Sequence, residues 1–243
     1  MSPIYVNAQP YTLMAGTSSD ASGISTVTWG NAATGGSGTA TGTTSWSIAN
    51  IALNVGSNVI TVTATDIAGN TGTDVTTIIL DQIIPVCTIV TPATSPIYTN
   101  AATYTLMAGT SSDASGIASV AWVNSLGGSG TATGTTSWSI ASIALTAGSN
   151  VITVTATDLA GNLGTDVTTI IRDNINPVCT IVTPATSPIY TNAATYTLMA
   201  GTSSDASGIA SVTWVNSLGG SGTATGTTSW SIASIALDRK SNV

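Results

Sequence analysis

Aspartate is the one residue type in this chain with both the chemistry and the regularity to build a site. All ten acidic residues are Asp, and nine of them fall at four recurring places. Asp20, Asp113 and Asp205 stand in Ser-Asp-Ala-Ser-Gly words, and Asp66 and Asp158 open Asp-x-Ala-Gly-Asn words. Asp74 and Asp166 follow in the next apolar stretch, while Asp81 and Asp173 begin the segments Asp81-Gln-Ile-Ile-Pro85 and Asp173-Asn-Ile-Asn-Pro177. The tenth, Asp238, lies in a divergent tail. Carboxylates gathered in one place are hard oxygen donors, and Ca²⁺ takes about 6–8 such ligands from carboxylates, carbonyls and water. The competing reading is that each Asp closes its own turn by accepting a backbone amide two residues on. No EF-hand or RTX nonapeptide spacing is present.

Other chemistry is argued against by composition. The chain has no His and no Glu, and its basic residues are Arg172, Arg239 and Lys240, so a Ser or Thr nucleophile would lack an ordinary general base. Tandem copies of the same Asp also suit a repeated structural role better than one active site, and the chain reads as non-enzymatic. A formal charge of -7 with 5% charged residues gives no footprint for nucleic acid or for an anionic membrane surface. No apolar run approaches the roughly 20 residues that span a bilayer, so no membrane insertion is expected in this segment. The Gly35-Gly-Ser-Gly and Gly127-Gly-Ser-Gly turns lack the Gly-Lys-Ser/Thr of a phosphate loop. Cys87 and Cys179 occur one per copy, a domain apart, and read as buried free thiols.

Strands must position the carboxylates. Gly148-Ser-Asn-Val-Ile-Thr-Val-Thr-Ala-Thr-Asp158 alternates Ile152, Val154 and Ala156 with Val151, Thr153, Thr155 and Thr157, the two-residue period of a half-buried strand. Nearly the same words stand at Gly56 to Asn70. Ser-Pro-Ile-Tyr recurs with its Tyr at 5, 98 and 190, so three tandem copies fill the chain. The expected domains are 1–82, lacking a first strand; 83–174, complete; and 175–243, lacking the last two strands. On this reading the chain is a piece of a longer repeat protein.

The middle copy predicts seven strands: Val86 to Pro92, Thr103 to Thr110 with Tyr104, Leu106 and Ala108 on one face, one carrying Val120 and Trp122, Thr131-Ala-Thr, Ser137 to Leu145 with Trp138 and Ile140 inward, the Gly148 strand, and Asp166 to Arg172. Seven short strands with turn signals between them predict an all-β sandwich of immunoglobulin type. That order brings Asp81, Asp113, Asp158 and Asp166 together where copies one and two meet, and Asp173 with Asp205 at the next junction. The six Trp are expected in cores.

Val27-Thr-Trp, Gly35-Gly-Ser-Gly-Thr-Ala-Thr-Gly-Thr-Thr-Ser-Trp46 and Gly56 to Asn70 resemble bacterial immunoglobulin-like repeats, including those akin to the B domain of glucodextranase. The segment Arg172-Asp-Asn-Ile-Asn-Pro177 also resembles the linkers through which cadherin-like domains hold calcium, whereas Leu80-Asp-Gln-Ile-Ile-Pro85 keeps only Asp81 of that pattern. The resemblance implies tandem sandwiches in a stalk or spacer of an extracellular bacterial surface protein or adhesin. Its partners would be neighbouring repeats and surface glycans or proteins, with calcium at the junctions. The alternative it implies is an accessory or carbohydrate-binding module of a secreted polysaccharide-active enzyme. Strand exchange between incomplete end repeats is a third expectation.

Overall fold

The computed structural model describes residues 3–237; Asp238, Arg239, Lys240 and the closing Ser241-Asn-Val243 lie outside the described residues. The described chain is all β. The first repeat comprises β1 (Ile4–Val6), β2 (Tyr11–Thr17), β3 (Ile24–Asn31), β4 (Ser37–Thr39), β5 (Ser45–Ile51), β6 (Gly56–Asp66) and β7 (Thr71–Leu80). The second comprises β8 (Val86–Thr91), β9 (Ile97–Thr99), β10 (Thr103–Tyr104), β11 (Met107–Ser112), β12 (Ile117–Asn124), β13 (Ser129–Thr131), β14 (Ser137–Ile140), β15 (Ile143–Ala144), β16 (Gly148–Asp158) and β17 (Leu163–Arg172). The third runs from β18 (Val178–Thr183) through β19 (Thr195–Tyr196), β20 (Met199–Ser204), β21 (Thr213–Val215), β22 (Ser221–Thr223) and β23 (Ser229–Ile232) to β24 (Ile235–Ala236).

In the second repeat one sheet has the order β13-β12-β16-β17-β9 and faces a sheet of order β8-β11-β14, with β10 and β15 paired beside it. The long β16 is the centre of the larger sheet because both its neighbours run antiparallel to it, β12 from Ile117↔Asp158 to Asn124↔Ile152 and β17 along its whole length. Its β-branched residues suit that doubly paired place. Ile152, Val154 and Ala156 point inward and meet Met107, Val120, Trp138, Ile140 and Ile170 in one core. This is an immunoglobulin-like sandwich, repeated in tandem.

The strand reading needs two corrections. The run from Thr103 to Thr110 is broken after Tyr104, and the break shifts its phase: Met107 is wholly buried while Leu106 is 54% exposed. The inward face of β11 is thus Met107, Gly109 and Ser111 rather than Leu106 and Ala108. The segment read as a crossover also carries an edge strand at Ile97, as β1 does in the first repeat, where it runs parallel to β7.

The chain separates into two compact units. The first holds the described part of Met1–Ile97 with Ala101–Arg172, and the second holds Tyr98–Asn100 with the described part of Asp173–Val243. Residues 178–237 repeat residues 86–145 with a single change, Thr213 for Ala121. Their environments differ nonetheless, because no counterpart of β16 or β17 is among the described residues: Met107 and Val120 are buried, whereas Met199 and Val212 are only partly so. Cys179 departs from the expected buried thiol for the same reason. It is exposed, while Cys87 is half-buried, and neither is in a disulfide.

Candidate metal centre at the first junction

Each carboxylate is fixed by its own turn. Asp113 lies between β11 and β12, where its Oδ1 accepts the Ser115 amide (2.7 Å) and hydroxyl (2.8 Å), and Gly116 closes the turn at φ +94°. Asp158 ends β16. Its Oδ1 accepts the Asn162 amide and its Oδ2 the Asn162 side-chain Nδ2–H, both at 2.8 Å. Asp81 follows β7; its amide donates to the Val6 carbonyl (2.9 Å), and its Oδ1 accepts the Ile83 amide (2.9 Å).

The fold then brings the three turns together. One carboxylate oxygen from each of Asp81, Asp113 and Asp158 lies within 4.8 Å of the other two. Asp158 is almost wholly buried at 1% exposure. Asn162 fastens the group across the junction, since its Nδ2 also donates to the Asp81 carbonyl (3.0 Å). Nothing in the sequence reading singled out Asn162, although the recurrence of Asn70 and Asn162 four places after an Asp was a signal for it.

Asp166 is not part of this group, and the expectation that it joins is corrected. On β17 its Oδ2 accepts the Ile89 amide (2.7 Å) and its Oδ1 the Val167 amide (2.8 Å), so it pins β8 to the sandwich instead. Burial pushes the neighbouring Cys87 thiol above its ordinary pKa, and the Asp166 charge adds to that. In the third repeat Asp173 and Asp205 are neighbours, as Asp81 and Asp113 are. The Ser207 hydroxyl, then the Ile175 amide, holds Asp173 below the usual carboxylate range. Among the described residues this pair has no counterpart of Asp158. In the first repeat Asp20 and Asp66 occupy the two turns, and Asp66 is held low chiefly by the Asn70 side chain.

Two unit negative charges about 5 Å apart repel by about 3 kcal/mol at an effective dielectric of about 20. The one basic side chain among the described residues, Arg172, is engaged elsewhere, its Nη1 donating to the Leu145 carbonyl (3.2 Å). The donor set of the cluster is therefore all oxygen and, among the described residues, without a basic counter-charge nearby, which fits a hard divalent cation.

Residues 85–174 match the family model described as glucodextranase, domain B. No curated protein matches the sequence. Among solved structures, the fibronectin(III)-like modules of Clostridium thermocellum CbhA are 21% identical, with 71% of this chain and 93% of that chain covered and a TM-score of 0.43. A tetra-tandem repeat from the extending region of a large adhesion protein is 20% identical over 96% of this chain and 65% of that one, with a TM-score of 0.33. A structure concerned with host cell surface retention of a 1.5-MDa bacterial ice-binding adhesin is 19% identical over 92% and 79%, with a TM-score of 0.37.

Proposed function

We propose that this chain is a non-catalytic spacer of an extracellular bacterial surface protein, in which Ca²⁺ at the repeat junction limits bending. The observation that carries the reading is the meeting of Asp81, contributed by the linker, with Asp113 and Asp158 of the following repeat. A cation there would tie the linker to two turns of the next sandwich, so its binding free energy would oppose hinge motion at the junction. The near-uncharged, Thr-rich exterior and the copying of the same unit support a role set by length and stiffness. No helix of the described residues is long and apolar enough to cross a membrane.

The test is thermal unfolding after EDTA treatment and on return of Ca²⁺. Saturation at about 100 times Kd adds roughly 2.7 kcal/mol to the folded state, so Tm rises by several degrees in the native chain and not in Asp113→Asn/Asp158→Asn. An unchanged Tm on calcium return removes the calcium part of the proposal.

The family match over residues 85–174 favours a second reading, an accessory module of a polysaccharide-active enzyme. Trp138 and Trp230 are buried and Trp122 packs against its core, while Trp46 and Trp214, only partly buried, line grooves. The spacer reading expects oligosaccharides to leave Trp fluorescence unchanged, and saturable quenching would favour the module.

A further inference from the structure

The turn that ends β16 reaches back to the first repeat. Gly161 takes φ +93°, and a Cβ there would stand 3.5 Å from the Asn7 side-chain nitrogen, so the turn lies directly against the residue that follows β1. Gln82 in the linker donates its Nε2–H to the Asn7 carbonyl (3.5 Å). Asp81, beside it, has both main-chain polar groups engaged: its amide donates to the Val6 carbonyl (2.9 Å), continuing the β1–β7 pairing, and its carbonyl accepts the Asn162 Nδ2–H (3.0 Å). Its Oδ1 takes the Ile83 amide (2.9 Å), and only 9% of the residue is exposed. One residue is thus held by the first repeat through its nitrogen and by the second through its oxygen. The turn keeps its shape by itself. Asn162 closes it on Asp158 through its amide and its side chain, both at 2.8 Å, and Asn70 closes the corresponding turn on Asp66 with the same two bonds at the same distance. The bond to Asp81 is then made by a side chain already fixed, so little rotamer freedom is lost in making it.

We propose that Asn162 couples the stability of the two repeats: by holding the Asp81 carbonyl it keeps the Asp81 amide on Val6, and so protects the parallel β1–β7 edge of the preceding repeat. A bond of this kind is the nearest-neighbour term of a tandem array, through which one folded unit stabilises the next. The edge is where such support matters, because β1 spans three residues and pairs with β7 alone, and short edge elements open locally before a core does. The effect is reciprocal by linkage, so β1 in its place also steadies the turn of the second repeat. No cation takes part. The coupling runs through the main chain of Asp81, whereas the calcium reading uses its carboxylate, so either can fail without the other. The arrangement at Asp81 is copied at Asp173, whose amide donates to the Thr99 carbonyl (2.9 Å).

Amide hydrogen exchange on the 243-residue chain, in EDTA so that no cation contributes, reads the coupling. Asn162→Ala, a change in the second repeat, speeds exchange of the Val6 and Asp81 amides in the first by about tenfold. Asn150→Ala, which weakens the second repeat at the opposite end of β16, leaves both amides at their native rate. The reverse arm does not depend on how any Asn162 variant folds: Val6→Pro, in the first repeat, speeds exchange of the Asn162 amide that Asp158 otherwise holds. Val6 and Asp81 amides that ignore Asn162→Ala, or that respond as strongly to Asn150→Ala, overturn the proposal, as does an Asn162 amide unmoved by Val6→Pro.

Discussion

Asp66 accepts two hydrogen bonds from a single neighbour, the backbone amide and the side chain of Asn70, each at 2.8 Å. These bonds favour the charged carboxylate, the side-chain bond most, and lower its pKa from the ordinary 3.8 against the opposing effect of burial. A folded-state pKa below the unfolded one means a contribution that is complete above about pH 3.8 and is lost as pH falls through the folded value. Melting curves between pH 5 and about pH 2 should therefore show acid destabilisation of the first repeat that is reduced in Asp66→Asn. At this scale much was legible: Asp-x-Ala-Gly-Asn announces a turn closed by its own side chains. The convergence of Asp81 on Asp158 across the junction was an inference from strand order. The exclusion of Asp166 was not legible, because its partner, Ile89, is far away in the chain.

Among the elements, β16 depends on one buried amide where it begins. Asn150 is fully buried; its Nδ2 donates to the carbonyls of Thr146 (2.8 Å), Gly148 (3.0 Å) and Ile170 (3.3 Å). Its Oδ1 accepts the Thr146 amide and the Asn124 side chain, both at 3.0 Å. Asn58 and Asn31 repeat the arrangement in the first repeat. Asn150→Ala leaves several of these groups unpaired in the interior and should cost about 3 kcal/mol, read as a lower midpoint in urea unfolding followed by Trp fluorescence. The alternation that identified β16 in the sequence is local, and the strand was found with its inward face correct. The split between β10 and β11 was missed because Thr103 to Thr110 alternates well enough on paper. Only the packing of both Tyr104 and Met107 against one core reveals the change of phase.

At the scale of the whole molecule, the second and third repeats form an internal control. Sixty positions differ at one residue, yet the same Met and Val are buried in one copy and only partly so in the other, and the same Cys is half-buried in one and exposed in the other. Burial here is a property of distant strands, so no reading of the local words distinguishes Cys87 from Cys179. Copying, by contrast, is plain in the sequence, and it locates the repeats before any coordinate is known. The parallel pairing of β1 with β7, Ile4↔Ile78 through Val6↔Leu80, has a mechanical consequence for a chain built this way. Tension applied across the first repeat pulls these two strands in opposite directions along their common axis, so their hydrogen bonds, with the Asp81 amide on Val6 beside them, are loaded together in shear rather than opened one by one. In single-molecule pulling, Val6→Pro, which removes an amide facing β7 from this pairing, should lower the peak unfolding force of the first repeat and leave that of the second unchanged. Equal forces before and after the change would show that the load is borne elsewhere.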